Sequence, residues 1–369
     1  MSPEQLRCLE LAERAIGLSE PNPRVGCMIR TTQGQEVHGH THAAGGLHAE
    51  AHALQQAQAH GLDLRGATVW VSLEPCSHHG RTPPCSSALV KAGVARVEVA
   101  CLDPNPLVRG RGVAELQQAG IEVQLDQGTW MAQARALNIG FMSRMERGRP
   151  WVRMKVAASL DGTTALHNGR SQWITSPAAR ADVHRFRAES AAILSTSATV
   201  LADDPQLDAR SDGGVSPPTR QPMRVLLDRQ LRIPPRARVF TTGGEVVRLA
   251  GAATQSIPAP AMASPQGRIE HIALGGDGQL NLEAVLAWMG GAALNEVWTE
   301  CGSTLAGALL DRGLVDEMVL YLAPKLLGSA AKPLVEMAGP ARLAEAMTWQ
   351  VHDLQQIGPD IRIMLRRDR

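Results

Sequence analysis

Apolar and polar positions along this chain follow two periods, and the switching between them predicts an α/β organisation. Val25-Gly26-Cys27-Met28-Ile29 is a short apolar run that turns at Gln33-Gly34 toward Glu36-Val37. Val69-Trp70-Val71-Ser72-Leu73 and Val97-Glu98-Val99-Ala100 are also strand-like, while the spacing predicts helices from about Ala49 to His60 and over Cys85 to Ala92. Further on, Val152-Arg153-Met154-Lys155-Val156 alternates as a strand. Ser176-Pro177 offers an N-cap followed by a first-turn proline, which opens a helix to about Arg187. Arg224-Val225-Leu226-Leu227-Asp228, Glu296-Val297-Trp298-Thr299 and Val315 to Leu322 read as buried strands. Ser211 to Pro222 and Ala252 to Gln266 are rich in Pro, Ser, Ala and Gly and read as surface loops.

The segment Glu146-Arg147-Gly148-Arg149-Pro150 is charged, lacks apolar periodicity and ends in proline, so the domain junction is expected there. Two domains, 1–146 and 150–369, suit a chain of 369 residues, which is long for one core. A net charge of only +1 gives no electrostatic footprint for a nucleic-acid backbone or an anionic membrane, so neither is an expected partner. Met1 to Glu20 interleaves charges with Leu6, Leu9, Ala12 and Ile16, as an amphipathic surface helix would, and has no signal-peptide core or membrane span. The six cysteines are too sparse for a disulfide scaffold; two are assigned to a metal and four to buried apolar positions. A cytoplasmic protein is expected, with homo-oligomerisation left open.

The chemistry is concentrated in His48-Ala49-Glu50 and Glu74-Pro75-Cys76, followed after eight residues by Cys85. One imidazole and two thiolates supply three ligands for a tetrahedral zinc, with a fourth position free for water. Zinc nucleobase deaminases pair a His-x-Glu segment, whose Glu moves protons and is not a ligand, with Pro-Cys-x-x-Cys. Here Glu50 stands at the proton-carrying position, but eight residues separate the cysteines where two are usual. The alternative is a structural zinc closed by a fourth protein ligand, for which His52, His78 and His79 are near in sequence. A carboxylate at position 50 has no purpose in a closed site, so the catalytic reading is preferred.

Leu73-Glu74-Pro75-Cys76-Ser77-His78-His79-Gly80-Arg81-Thr82-Pro83-Pro84-Cys85 resembles the bifunctional deaminase/reductase family of riboflavin biosynthesis, the RibD/RibG family. Pro21-Asn22-Pro23, Asp103-Pro104-Asn105-Pro106, Ala158 to Gly162, Ser171 to Thr175, Leu201 to Pro205 and Ala323 to Gly328 extend the resemblance along nearly the whole chain. It implies a cytidine-deaminase-like α/β/α sandwich, then a dihydrofolate-reductase-like α/β domain. One zinc and NADPH are the implied cofactors, and a phosphorylated pyrimidine is the implied substrate. By the same resemblance, Asn22, His78, Arg81, Asp103 and Asn105 meet the deaminase substrate. Asn and Asp beside proline also start turns for local reasons. Thr41 stands seven positions before His48, where some family members have histidine, and the parts of His40, Thr41 and His42 are left open.

No Gly-x-Gly-x-x-Gly follows a strand, so the second domain lacks the dinucleotide fingerprint. What it has is Glu300-Cys301-Gly302-Ser303-Thr304-Leu305-Ala306, a glycine turn entering a helix, which can present amides to a pyrophosphate. The resemblance implies NADPH along Gly302, Ser303, Thr304 and Leu305 and beside Ala157, Trp173, Thr199, Asp203 and Arg229. It sets Lys155, Ser171, Arg187, Leu207, Arg210 and Glu300 against the phosphorylated sugar. Trp173 could instead be core and Arg187 a solvated helix residue. Lys155 interrupts an apolar strand and needs a partner there.

Overall fold

The computed structural model describes residues 1–77, 84–211, 219–252 and 267–367. The chain divides into two compact units, Met1–Gly148 and Arg149–Arg369.

In the first unit, strands β1 (Gly26–Arg30), β2 (Glu36–His40), β3 (Thr68–Val71), β4 (Arg96–Val99) and β5 (Glu122–Leu125) form one sheet in the order β2-β1-β3-β4-β5. β1 runs antiparallel to both neighbours, and β3, β4 and β5 are mutually parallel. The helices are α1 (Pro3–Glu13), α2 (Ala49–Ala59), α3 (Cys85–Ala92), α4 (Arg111–Gln118), α5 (Thr129–Leu137) and α6 (Ile139–Arg147). Ser2 and Gln5 make a reciprocal capping box that starts α1. Two glycines let helices approach the chain closely. A Cβ on Gly39 would stand 1.9 Å from the Ala49 carbonyl oxygen, and one on Gly112 would stand 1.9 Å from that of Pro75. The first contact seats α2 on β2; the second seats α4 beside the Glu74-Pro75-Cys76 segment.

The charged stretch at 146–150 is not irregular throughout: α6 continues through Arg147 and ends at Gly148, which is left-handed with φ 69°.

The second unit holds β6 (Trp151–Ser159), β7 (Thr163–Ala165), β8 (Ala192–Thr196), β9 (Met223–Leu227), β10 (Val246–Gly251), β11 (Gly267–Ile272), β12 (Glu296–Glu300), β13 (Glu317–Ala323), β14 (Lys332–Pro333), β15 (Trp349–Ile357) and β16 (Asp360–Arg367). Nine of these form a sheet in the order β11-β10-β9-β8-β12-β6-β13-β16-β15, and β7 pairs with β14. Its strands from β11 to β13 are parallel, as strand–helix–strand crossovers require, and β16 and β15 return antiparallel. Helices α7 (Pro177–Glu189), α8 (Ser197–Asp203), α9 (Leu282–Gly291) and α10 (Ser303–Asp311) cover it. Alternate residues along a strand enter two separate cores: Val225, Val297 and Met318 join α9 and α10, whereas Leu226, Trp298 and Val319 join α7. This period-two partition onto two helical layers is why strands 223–227 and 296–300 read as continuous apolar runs.

Ser176 caps α7 by accepting from the Ala179 amide at 3.3 Å, with Pro177 at the first helical position. Two distant motifs are joined: the Asp161 carboxylate accepts the amides of Leu327 and Gly328, the latter at 2.7 Å. The predicted loops at 211–222 and 252–266 lie mostly outside the described residues. No described helix is long and apolar enough to cross a membrane.

Candidate active sites

His48 is the N-cap of α2, Cys85 is the first residue of α3, and Cys76 sits in the loop after β3. The three meet. His48 Nδ1 is 3.5 Å from Cys76 Sγ and 3.6 Å from Cys85 Sγ. Tetrahedral zinc with Zn–S of about 2.3 Å and Zn–N of about 2.0–2.1 Å puts its nitrogen and sulfur ligands about 3.5 Å apart, so the donors already have the spacing of a zinc tetrahedron's edges. The Cys85 amide, at the N-terminus of α3, points at Cys76 Sγ from 3.4 Å. A hydrogen bond from the Cys85 side chain, then the bond and charge of neighbouring His48 and this backbone amide, lower the Cys76 thiol to about 4, outweighing burial; the Cys85 thiol is pushed up by its bond to Cys76 and by burial.

Glu50 follows two residues into α2 and is 4% exposed. Burial, reinforced by charge on Cys76, pushes its carboxyl up to about 7, so it can both hold and release a proton near neutrality. His52 does not close the ligand set. It belongs to a separate group with His40 and His42, and among the described residues the metal-capable cluster at this site contains only His48, Cys76 and Cys85. Burial and neighbouring imidazoles keep His40 and His52 below the usual histidine range. Thr41, between two of these histidines, is buried, and its hydroxyl accepts the Val25 amide at 3.1 Å.

The flanking candidates are less uniform. Asp103 is buried, which raises its carboxyl to about 6, and it accepts the Asn105 amide at 2.8 Å. Asn105 in turn accepts the Leu107 amide at 3.1 Å, so both residues shape their own turn. Asn22 is half-buried beside Pro21 and Pro23. His78 and Arg81 lie outside the described residues.

Glu74 has no assigned part in the sequence pattern. Its buried carboxylate accepts four backbone amides, from Asp103 (3.2 Å), Gly110 (2.9 Å), Gly112 (2.9 Å) and Val113 (3.2 Å). It thereby ties the Asp103-to-Val113 segment to the strand end that carries Cys76. An acidic residue closing the apolar run Val69 to Leu73 was the available signal. Glu74→Ala would orphan these amides, and at about 1–3 kcal/mol for each buried group left unsatisfied, partly relieved by water, a loss on the order of 3 kcal/mol is expected. Thermal denaturation of the full chain monitored within the first unit measures it; an unchanged midpoint would contradict this role.

The second unit contains a cleft of about 1320 Å³. All fifteen reductase positions assigned from the sequence line it: Lys155, Ala157, Ser171, Trp173, Arg187, Thr199, Asp203, Leu207, Arg210, Arg229, Glu300 and Gly302 through Leu305. Trp173 is no core residue, being 64% exposed, and the Arg180 guanidinium lies 4.5 Å from its ring centroid. Lys325 holds this segment by donating to the Trp173 and Ile174 carbonyls at 3.0 and 2.6 Å. Cys301, expected to be buried, is only partly so and lines the cleft.

Arg187 is not solvated either. Its guanidinium donates to Glu300 through Nε at 2.6 Å and Nη2 at 2.9 Å, and to the Asp208 carbonyl at 2.9 Å. Phe186 stacks on Trp298 with ring centroids 4.8 Å apart, which sets α7 over β12 and brings Arg187 to Glu300. Burial alone would raise the Glu300 carboxyl; the charge and hydrogen bonds of Arg187, the charge of Lys155 and a bond from Trp298 Nε1 prevail and hold it at about 2. Lys155 is the register partner of Glu300, and burial lowers its pKa despite that carboxylate. At the start of α10 the Ser303 and Thr304 hydroxyls both donate to Glu336, at 2.9 and 2.8 Å. A phosphate at this turn would therefore meet backbone amides beside an acidic side chain.

These geometries define a class: a zinc-type deaminase centre in one α/β unit and an open cleft with an ionic floor in a second. Comparison with known proteins agrees. The family model of the RibD C-terminal domain matches residues 150–363, and that of the cytidine and deoxycytidylate deaminase zinc-binding region matches residues 5–101. The riboflavin biosynthesis protein RibD of Escherichia coli (strain K12) is 46% identical over 364 residues, covering 96% of this chain and 96% of that protein. Among solved structures, Acinetobacter baumannii RibD superposes with a TM-score of 0.88 at 40% identity, covering 99% of this chain and 98% of that one. A Thermotoga maritima diaminohydroxyphosphoribosylaminopyrimidine deaminase/5-amino-6-(5-phosphoribosylamino)uracil reductase gives a TM-score of 0.85 at 30% identity, with the same coverage. The chain belongs to the RibD family, the bifunctional deaminase/reductases of riboflavin biosynthesis.

Proposed function

We propose that the first unit hydrolyses the 2-amino group from 2,5-diamino-6-(5-phosphoribosylamino)pyrimidin-4(3H)-one, releasing ammonia. The second then reduces the ribosyl side chain of the product, 5-amino-6-(5-phosphoribosylamino)uracil, to ribityl. The observation that carries this reading is the convergence of His48, Cys76 and Cys85 at zinc-edge distances next to the buried Glu50.

When bound by these three residues, zinc would lower the pKa of a water to roughly 7 and so supply a nucleophile at neutral pH. Glu50 takes a proton from the attacking side and passes one to the departing nitrogen, which leaves as ammonia. Asn22, Asp103 and Asn105, with His78 and Arg81 from the intervening segment, orient the pyrimidine and its phosphate; the guanidinium of Arg81 suits phosphate bidentately.

When bound in the second unit, NADPH would supply reducing equivalents to the opened sugar. Its proposed contacts are Ala157, Trp173, Thr199, Asp203, Arg229 and Gly302 through Leu305. Lys155, Ser171, Leu207 and Arg210 orient the phosphorylated sugar. Arg187 and Glu300 neutralise each other and fix the charge beside Lys155. A cleft of about 1320 Å³ is larger than the roughly 300–1,000 Å³ of a site for one drug-sized ligand, which suits a cofactor and substrate bound together.

Replacing Cys76 or Cys85 by Ser should lower zinc content and ammonia release together, since a hydroxyl is a far poorer ligand than a thiolate. Elemental analysis alongside an ammonia assay checks this; full zinc occupancy in both variants would remove the assignment.

A further inference from the structure

We propose that His40, His42 and His52, from β2, the loop after it and α2, form a second metal site, for one divalent cation of the zinc class. The ring nitrogens that these three offer all lie within 4.8 Å of one another. His42 Nε2 and His52 Nδ1 are 3.1 Å apart. Two nitrogens bound to one zinc at about 2.0–2.1 Å stand about 2.9 Å apart at a right angle and about 3.4 Å apart at the tetrahedral angle. That pair therefore has the spacing of neighbouring ligands, and the His40 ring centroid lies 5.1 Å from each of the other two.

The backbone holds the group together. Because Gly39 has no side chain, β2 lies directly on α2, which brings His40 and His42 against His52. Thr41 is buried between them and pinned to Val25 through both its hydroxyl and its amide. His52 Nδ1 accepts the His40 backbone amide at 3.3 Å, a long hydrogen bond that a bound ion would displace. The far nitrogen of the ring, Nε2, is 3.1 Å from the side-chain amide of Gln56. With its oxygen turned to the ring, Gln56 would accept the Nε2 proton and fix the tautomer that leaves Nδ1 free, the role of the outer partner of a metal-bound histidine. All three rings are half-buried, so an ion and its remaining waters can reach them. Three imidazoles are a known zinc set, and imidazole donors also suit copper and nickel.

The test uses the full chain without an affinity tag, equilibrated with rising zinc concentrations and counted by elemental analysis after dialysis. Wild type should take up two zinc ions per chain. His42→Gln and His40→Gln should each weaken binding of the second at least about tenfold while the first stays, circular dichroism confirming that both variants fold. Cys76→Ser should show the reverse, keeping the histidine-bound ion and losing the other, so failure of one site is distinguishable from failure of the other. Saturation of wild type at one ion, or a second ion that survives both histidine replacements, would overturn the proposal.

Discussion

Glu50→Gln should leave zinc in place and nearly abolish ammonia release. The change keeps the side chain's size, and His48, Cys76 and Cys85 remain to hold the metal. What disappears is a buried carboxyl beside the metal ligands, the group placed to accept a proton and give one back within a single turnover. An amide can do neither. Deamination should fall by about 10² to 10⁴-fold, the usual contribution of a general acid–base group. Reduction of pre-deaminated substrate should stay near normal, because the residues proposed for it all belong to the other unit. Loss of zinc would make Glu50 structural, and parallel loss of both activities would contradict two independent sites.

Arg187→Met should cripple the other half. It strands the Glu300 carboxylate, which is 13% exposed on its side chain and loses two charge-assisted hydrogen bonds. Breaking a buried pair from one side costs about 3–5 kcal/mol, so the second unit should melt about 10 °C lower and reductase activity should collapse. Ammonia release should be retained. The sign with pH follows from Glu300: its folded pKa of about 2 lies below the ordinary glutamate value of 4.5. Its pairing thus stabilises the fold fully above about pH 5 and fades as pH falls toward 2, and the defect of Arg187→Met should shrink over that window. The double change Arg187→Met with Glu300→Leu removes both charges and should recover most of the stability without recovering reduction. If it restored reduction as well, the pair would have no part in the site beyond packing.

Much of the first site was legible because its chemistry is local in sequence. His48 and Glu50 share one helical turn, and Cys76 and Cys85 flank one loop, so spacing alone suggested a metal and a proton carrier. The same locality failed for Glu74, whose four partners are 29 to 39 residues away. Nor does it show the histidine group: by sequence His52 is one of three histidines near enough to close a structural zinc site, whereas β2 lying on α2 sets it beside His40 and His42. In the second unit, strands with apolar faces on both sides announced themselves by continuous runs. Buried charge did not: Arg248 and Asp228 are both fully buried and 2.6 Å apart, a pairing across β10 and the end of β9 that no local pattern announces. Likewise Arg187 reads as one more polar position on α7 until Glu300, 113 residues on, is brought beneath it.

The central claim is that two separate sites act in series, the first dependent on zinc. The most direct measurement supplies one preparation of the full chain with the diamino substrate and NADPH, and follows ammonia and NADPH together. Equal amounts of ammonia released and NADPH oxidised are expected. After zinc is stripped with a chelator, both signals should vanish with that substrate, while NADPH oxidation with pre-deaminated substrate should persist. NADPH oxidised without ammonia, or ammonia released at an undiminished rate once zinc is gone, would contradict the account.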